Sequence, residues 1–393
     1  MDQKETTAAR TISPRLLYTT LITVLLPFIY GIELLSIQAL PTEISANFKK
    51  LSSRFDSNSF CIVFFAAFLS NIVVYNIRVD SRVTLSLSAL SFSFSALFCY
   101  CTEYLYLFYL GRFLIGFAAG IIASTMPCYL SLISPINVRG MFSSLYGIGL
   151  VGGLLFINAT FSFFTEHYHS IMLGIAGVFF VFPVLLSFSV PFNNSSLKDG
   201  KSSLLSLLVN PKALKSLIFS AFFHIVQNLC GINQLSLNAR SIYGENFQYH
   251  VVLSLLIGLP VTILSGYLLE HFGRKSLILT SSSITSICCV AFYLHFQVFY
   301  ASYLFSFGFN IGLSGIPYVI LSEVFPQEYV APGAIFATSC NWISAMISMF
   351  IPQGSVEDQY NPVFIGYFFV TLAFILFVSF YFKETKNRIP AFQ

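Results

Sequence analysis

Residues 111–140 read GRFLIGFAAGIIASTMPCYLSLISPINVRG, and this stretch decides the fold. Between Arg112 and Arg139 it carries no charge. It is long enough to cross a hydrocarbon core of ~30 Å, which takes about 20 residues of helix. An arginine inside such a helix costs at least ~2.5–3.5 kcal/mol on insertion scales, so Arg112 calls for a buried partner or a water-filled path. Arg112 falls on one helical face with Gly116, Gly120 and Ala123, so small residues would admit a neighbouring helix while the guanidinium faces inward. The stretch reads as a membrane helix of a transport pathway.

The rest of the chain has the same character. Of its 393 residues 56% are hydrophobic and only 9% charged, against about 25% charged in a soluble domain. The net charge of +4 sits in short basic clusters between apolar runs, which marks membrane topology and argues against a nucleic-acid partner. The eight cysteines fall almost entirely inside apolar segments, where they act as small packing residues rather than as a disulfide or zinc framework. The opening MDQKETTAAR is polar, so no cleavable signal peptide is expected and the first span serves as its own insertion signal.

Twelve apolar stretches are long enough to span: 16–38, 59–77, 83–101, 104–126, 141–163 and 170–190, then 215–242, 249–270, 276–295, 298–321, 331–352 and 361–382. The expected fold is therefore an all-α membrane protein of two six-helix bundles, residues 1–191 and 215–393, joined by a short polar linker at 192–214. With the N-terminus inside, fifteen Lys and Arg residues fall on the cytoplasmic side and three outside, Arg112 and Arg240 lying within spans. Both termini are expected in the cytoplasm. The halves echo each other: Arg78, Asp80 and Arg82 follow span two, and Glu270, Gly273, Arg274 and Lys275 follow span eight. Repeated halves related by an axis along the membrane normal place a solute site between them near the midplane.

Span seven carries a polar stripe. At 100° per residue His224, Gln227, Asn228, Gly231, Gln234 and Asn238 share one face. Amides donate and accept, which suits a hydroxyl-rich neutral solute, and they suit interhelical hydrogen bonding equally well. Asn233 points nearly the other way and joins that face only if the helix unwinds near Gly231. Span ten holds Gly308, Asn310, Gly312, Ser314, Gly315 and Pro317 within ten residues, so it should be broken and line a pathway or gate. Trp342, the only tryptophan, stands beside Asn341 midway along span eleven, a place for an indole on a cavity wall. Glu33 is the one acid well inside a span.

In order and spacing these segments resemble the sugar porter family, the facilitative and proton-linked hexose transporters of the major facilitator superfamily. Gly111 to Gly120 fits that family's GRxxxGxGxG with Ala118 for one glycine. Pro127, Tyr129, Pro135, Arg139 and Gly140 fit PxYxxExxPxxxRG, and Gln227, Asn228, Gly231, Ile232 and Asn233 fit QQxSGIN. EHFGRK is similar to ExxGRR, Gly312 to Phe325 to the family's broken tenth helix and exit, Asn341 and Trp342 to its NW pair, and ETKNR to PETKGR.

The resemblance implies a transporter of a hexose or similar monosaccharide by alternating access, as facilitator or proton symporter. Its implied substrate contacts are Gln227, Asn228, Asn233, Asn310, Asn341 and Trp342, with His224 on the same stripe. Glu33 paired with Arg112 is the implied proton-coupling element, and Pro317, Arg139, Glu270, Arg274 and Glu323 are implied in gating and in a cytoplasmic latch. The expected partners are a sugar, the bilayer and protons, and the expected state is a monomer in the plasma membrane.

The departures are specific. The family's span-five glutamine falls at Gly147, its span-eight asparagine at Gly258 and its span-ten glutamate at Asn310; Leu132 and Val330 replace a glutamate and an arginine, and Asp80 a glycine. The latch should therefore be lopsided, weaker on the N-terminal side. No enzyme chemistry is expected: the six histidines are scattered, and neither a phosphate loop nor metal-ligand spacing is present, so no cofactor is implied. The rivals are a transporter of another polyol or small polar solute, and a non-transporting sensor on the same fold.

Overall fold

In the computed structural model, residues 14–386 are described apart from 41, 52–53, 78–80, 102, 136–137, 164–168, 176, 179–180, 182–203, 238 and 352–361. All regular structure among them is helical. In lipid no water can satisfy a bare peptide group, so a helix that closes its own hydrogen bonds is the form these apolar runs take. The first half comprises α1 (Pro14–Leu35), α2 (Thr42–Leu51), α3 (Phe55–Ile77), α4 (Ser81–Tyr100), α5 (Leu105–Ile133) and α6 (Arg139–Phe163). The second comprises α7 (Leu204–Val209), α8 (Pro211–Asn228), α9 (Ile232–Leu237), α10 (Ala239–Tyr243), α11 (Phe247–Phe272), α12 (Arg274–Tyr293), α13 (Val298–Gly308), α14 (Ile316–Ile320), α15 (Val330–Phe350) and α16 (Pro362–Tyr381).

Eleven segments among the described residues are long and apolar enough to cross a membrane, and the protein is a multi-pass membrane protein. The expected sixth span, 170–190, lies largely outside the described residues, as does most of the 192–214 linker. The end of that linker is helical: α8 begins at Pro211, capped by Asn210 Oδ1, which accepts from Lys212 N at 3.0 Å. Span four runs past its expected end at 126 to Ile133, with Pro127 inside the helix. The amphipathic α2, between spans one and two, was not anticipated.

Packing in the first half depends on close backbone approach. A Cβ at Gly116 would collide with the Val63 carbonyl, and one at Gly120 with Ser70 Oγ and the Ala67 carbonyl. These glycines let α5 lie directly on α3, on the face where Arg112 turns inward. The halves meet chiefly through two helix pairs, α6 on α11 and α3 on α15. The cavity lies between them.

Candidate functional site

Span seven is discontinuous. α8 stops at Asn228, Gly231 adopts φ +103°, and α9 restarts at Ile232. Such a φ is open to glycine at little cost, which is why the helix can break there. The break swings Asn233 back to the polar face, where its Nδ2 donates to Asn228 Oδ1 at 3.3 Å and to Ser348 Oγ at 2.8 Å.

Span ten breaks too, and the two breaks are joined. After α13 a π-helical turn covers Phe309–Leu313, and α14 begins only at Ile316. Pro317 has no N–H, so the Leu313 carbonyl loses its helical donor. Gln227 Nε2 supplies one, donating to Leu313 O and Ser314 O at 2.9 Å each. Gln227 Oε1 in turn accepts from Asn341 Nδ2 at 2.7 Å, and Asn228 Nδ2 donates to Asn341 O at 3.0 Å. Asn310 Oδ1 accepts from Thr262 Oγ1 at 3.0 Å while its Nδ2 donates to Ser306 O at 2.8 Å. The amide stripe therefore ties spans seven, ten and eleven together while facing the space between the halves. Of the two uses that the sequence left open, interhelical hydrogen bonding is the one these contacts display.

That space is a cavity of about 280 Å³, just under the ~300–1,000 Å³ common for small-molecule sites. Gln227, Asn228, Asn233, Asn310, Asn341 and Trp342 all line it, with Tyr30, Tyr146, Tyr318 and several serines. Among the described lining residues no side chain is acidic or basic. Trp342 sits at the seam: its ring stacks on Phe64 at 6.1 Å and meets Tyr30 edge-on at 6.3 Å, both from the other half. Its Nε1–H has no hydrogen-bond partner. The sequence reading missed Tyr146 and Tyr318, whose rings touch across the two halves at 4.6 Å. The place of Tyr318, directly after the proline of a broken span, was the available signal.

Three assignments need correction. His224 does not line the cavity; it is wholly buried, its ring edge-on to Tyr318 at 5.0 Å and its carbonyl accepting from Asn341 Nδ2 at 3.1 Å. Helical periodicity gives its face but not its depth, and one turn from Gln227 the ring is packed inside the second half against Tyr318 and Asn341. Nor does Gln234 reach the cavity; its Nε2 donates to Ser348 O at 2.9 Å. Third, the hydrogen bonds from Arg112 to the Glu33 turn go to its main chain. Arg112 Nη1 donates to the Glu33 carbonyl at 2.8 Å and Nη2 to the Leu34 carbonyl at 3.1 Å. These are carbonyls of the last turn of α1, where orphan acceptors and the negative end of the helix dipole attract a cation. The Glu33 carboxylate instead accepts from Ser95 Oγ through Oε2, and its Oε1 has no partner.

The face carrying the ends of α6, α11 and α12 is closed. Arg274 Nη2 meets Glu323 Oε1 at 2.7 Å and Glu270 Oε1 at 3.4 Å, and Nη1 donates to Leu269 O at 3.0 Å. Glu323 Oε2 also accepts from Thr385 Oγ1 at 2.6 Å. Burial pushes the Glu323 carboxyl above its ordinary range, and the Arg274 charge offsets part of that rise. Glu384 caps the start of α12, accepting from Arg274 N at 3.0 Å and Lys275 N at 2.9 Å. Partial burial alone would raise its carboxyl, but main-chain donors of Arg274, Lys275 and Lys386 outweigh it and hold the group below the ordinary glutamate value.

Gly140 brings the first half onto this cluster, since a Cβ there would lie 2.5 Å from both Arg274 Nη2 and Glu270 Oε1. Between α3 and α15 the Asn71 amide lies 3.0 Å from Thr338 Oγ1 and 3.2 Å from Ser339 Oγ. The N-terminal part of the expected latch, namely Arg78, Asp80 and the side chains of Leu132 and Arg139, lies outside the described residues. From the closed floor the cavity extends toward Leu35, Ala239, Tyr243 and Met349 at the opposite ends of the spans.

Known proteins give the arrangement its context. Hexose transporter 1 of Toxoplasma gondii is 24% identical over a match covering 71% of this chain and 62% of its own length. The facilitated glucose transporter member 2 of solute carrier family 2 from Sus scrofa is 25% identical, covering 71% and 64%. The chain spans less than two thirds of the length of these two relatives. A solved structure of the major facilitator superfamily proton:xylose symporter XylE, bound to 6-bromo-6-deoxy-D-glucose, superimposes with a TM-score of 0.77 at 16% identity. The match covers 95% of this chain and 97% of that one, and the two share the fold. The family described as Sugar (and other) transporter matches residues 19–196 and 192–389, and with nearly the whole chain so covered, this protein belongs to the sugar transporter family.

Proposed function

We propose that this chain moves a hexose or similar monosaccharide across a membrane by alternating access, the halves 1–191 and 215–393 rocking about the cavity between them. The observation that carries this reading is the cavity. It is small, lined by amides, hydroxyls and an indole on one side and by apolar side chains on the other, without an acidic or basic side chain among its described lining residues, and closed on the face of Arg274. A sugar needs neutral two-way hydrogen-bonding partners and an aromatic plane for its C–H side, and this wall offers both. The names of the hexose and glucose transporters among its relatives support the same substrate class.

The face bearing Arg274, Glu323 and Glu384 is read as cytoplasmic from the fifteen-to-three excess of Lys and Arg on that side. On that reading the cavity opens outward and both termini lie inside the cell; we take the plasma membrane as the location and the monomer as the working unit. Proton coupling is assigned to Glu33. Its Oε1 lacks a hydrogen-bond donor, so a proton there has a vacant place, and Arg112 links the same turn of α1 to α5.

The test is uptake of labelled hexose into sugar-transport-deficient cells at several external pH values, comparing wild type with Glu33→Gln. Wild type should accumulate sugar and respond to an inward proton gradient; the variant should retain equilibrating uptake and lose the response. Uptake indifferent to the gradient in both removes proton coupling. Absence of uptake for every hexose, with the protein at the cell surface, removes the monosaccharide reading.

A further inference from the structure

The cavity has two unlike walls. The second half presents Asn228, Asn233, Ser254, Ser306, Asn310 and Asn341, whose side chains all donate and accept hydrogen bonds. The first half presents Leu34, Phe60, Phe64, Leu150, Val151 and Leu154, none of which can form one. Among the described lining residues of the first half, only Tyr30 and Tyr146 carry a hydroxyl. Tyr146 packs on Tyr318 at 4.6 Å, and Tyr30 meets Trp342 edge-on at 6.3 Å. Gly147 adds no side chain to this wall although there is room for one: the nearest atom to a Cβ there would be Thr262 Cγ2, at an ordinary contact distance of 3.7 Å.

A fully hydroxylated sugar has hydroxyls all around its rim. Any that turn to the first-half wall lose water without gaining a partner, which disfavours binding. A solute lacking a hydroxyl on that side, or carrying it capped by an alkyl group, avoids the loss and gains apolar contact. We propose that the cavity selects a monosaccharide with one apolar side, deoxygenated or O-alkylated, its remaining hydroxyls on the amide wall and its apolar side against Phe60, Leu150 and Leu154. This rests on the monosaccharide reading above and narrows it.

Trp342 is the only tryptophan and lines the cavity, so its emission in the purified full chain reports occupancy directly. D-glucose and D-galactose are titrated, each beside its 6-deoxy derivative and its methyl glycosides. At least one derivative should bind about 10-fold or more tightly than its parent, the lower end of what one added methylene is worth in an apolar pocket. Gly147→Asn, which places an amide on the apolar wall, should shift the preference back toward the parent by a similar factor. If a parent hexose binds as tightly as or more tightly than all its derivatives, the inference is wrong while the hexose reading stands. If no parent and no derivative binds, both fall together.

Discussion

The two halves of this molecule solve different problems with the same kind of helix. The first half is built on contact: glycines of α5 seat it against the backbone of α3, and Arg112 is fixed to the last carbonyls of α1. The second half is built on interruption, with spans seven and ten broken at membrane depth and the freed carbonyls of span ten satisfied by the Gln227 amide of the same half. Unpaired backbone is tolerated in lipid only where protein or a water-filled cavity takes it up. The broken helices therefore sit where polar side chains can take up the freed backbone groups. Under the proposed function, the contrast puts most of the polar recognition surface on the second half.

The sharpest way to break this comparison is at the closed face. Glu323→Ala leaves Arg274, 3% exposed, facing only the partly accessible Glu270. Removing one partner of a buried pair costs about 3–5 kcal/mol. The thermal midpoint of the purified protein, followed by Trp342 emission, should fall by many degrees; an unchanged midpoint would show that the latch holds little. Next is the scaffold: Gly116→Val drives a side chain into the Val63 carbonyl, and overpacking of this kind costs about 1–3 kcal/mol or more. Surface expression should drop sharply, whereas Gly147→Ala, whose added Cβ would meet Thr262 Cγ2 at an ordinary 3.7 Å, should express normally.

Gln227→Ala removes the donor to Leu313 and Ser314, and an unsatisfied buried acceptor costs about 1–3 kcal/mol. Apparent sugar affinity should weaken by roughly 5-fold to 100-fold with folding retained; normal affinity would take the residue out of the site. The smallest effect is expected at Glu384, a helix-terminal carboxylate worth about 0.3–1 kcal/mol. Because its folded value lies below the ordinary one, its stabilisation is present above that ordinary value and is lost as pH falls through the folded one. Wild type and Glu384→Gln should thus differ in thermal midpoint near neutral pH and converge on acidification. A gap that persists in acid would mean that the charge is not what stabilises the cap.

Much of this contrast was legible in the residues. Asn233 lay off the polar face unless the helix broke at Gly231, and Gly231 does break it. Pro317 among glycines announced the second interruption, and the π turn at Phe309–Leu313 is the form it takes. The charge of Arg112 demanded a partner, yet its sequence could not say that main-chain carbonyls of α1 would accept from it. His224 shared the stripe's periodicity and lies beneath the cavity, because a face repeats along a helix while the depth of a cavity does not.

The sequence by itself determined the membrane class, the span positions and the places where helices must break. Apolar length, proline chemistry and glycine freedom are local properties that need no partner to act. Only the tertiary structure decided that Gln227 bridges the two breaks, that Tyr146 meets Tyr318 across the halves, and that one cavity wall is polar and the other apolar. Those facts depend on which faces of distant helices come within hydrogen-bond reach, and that is set by packing.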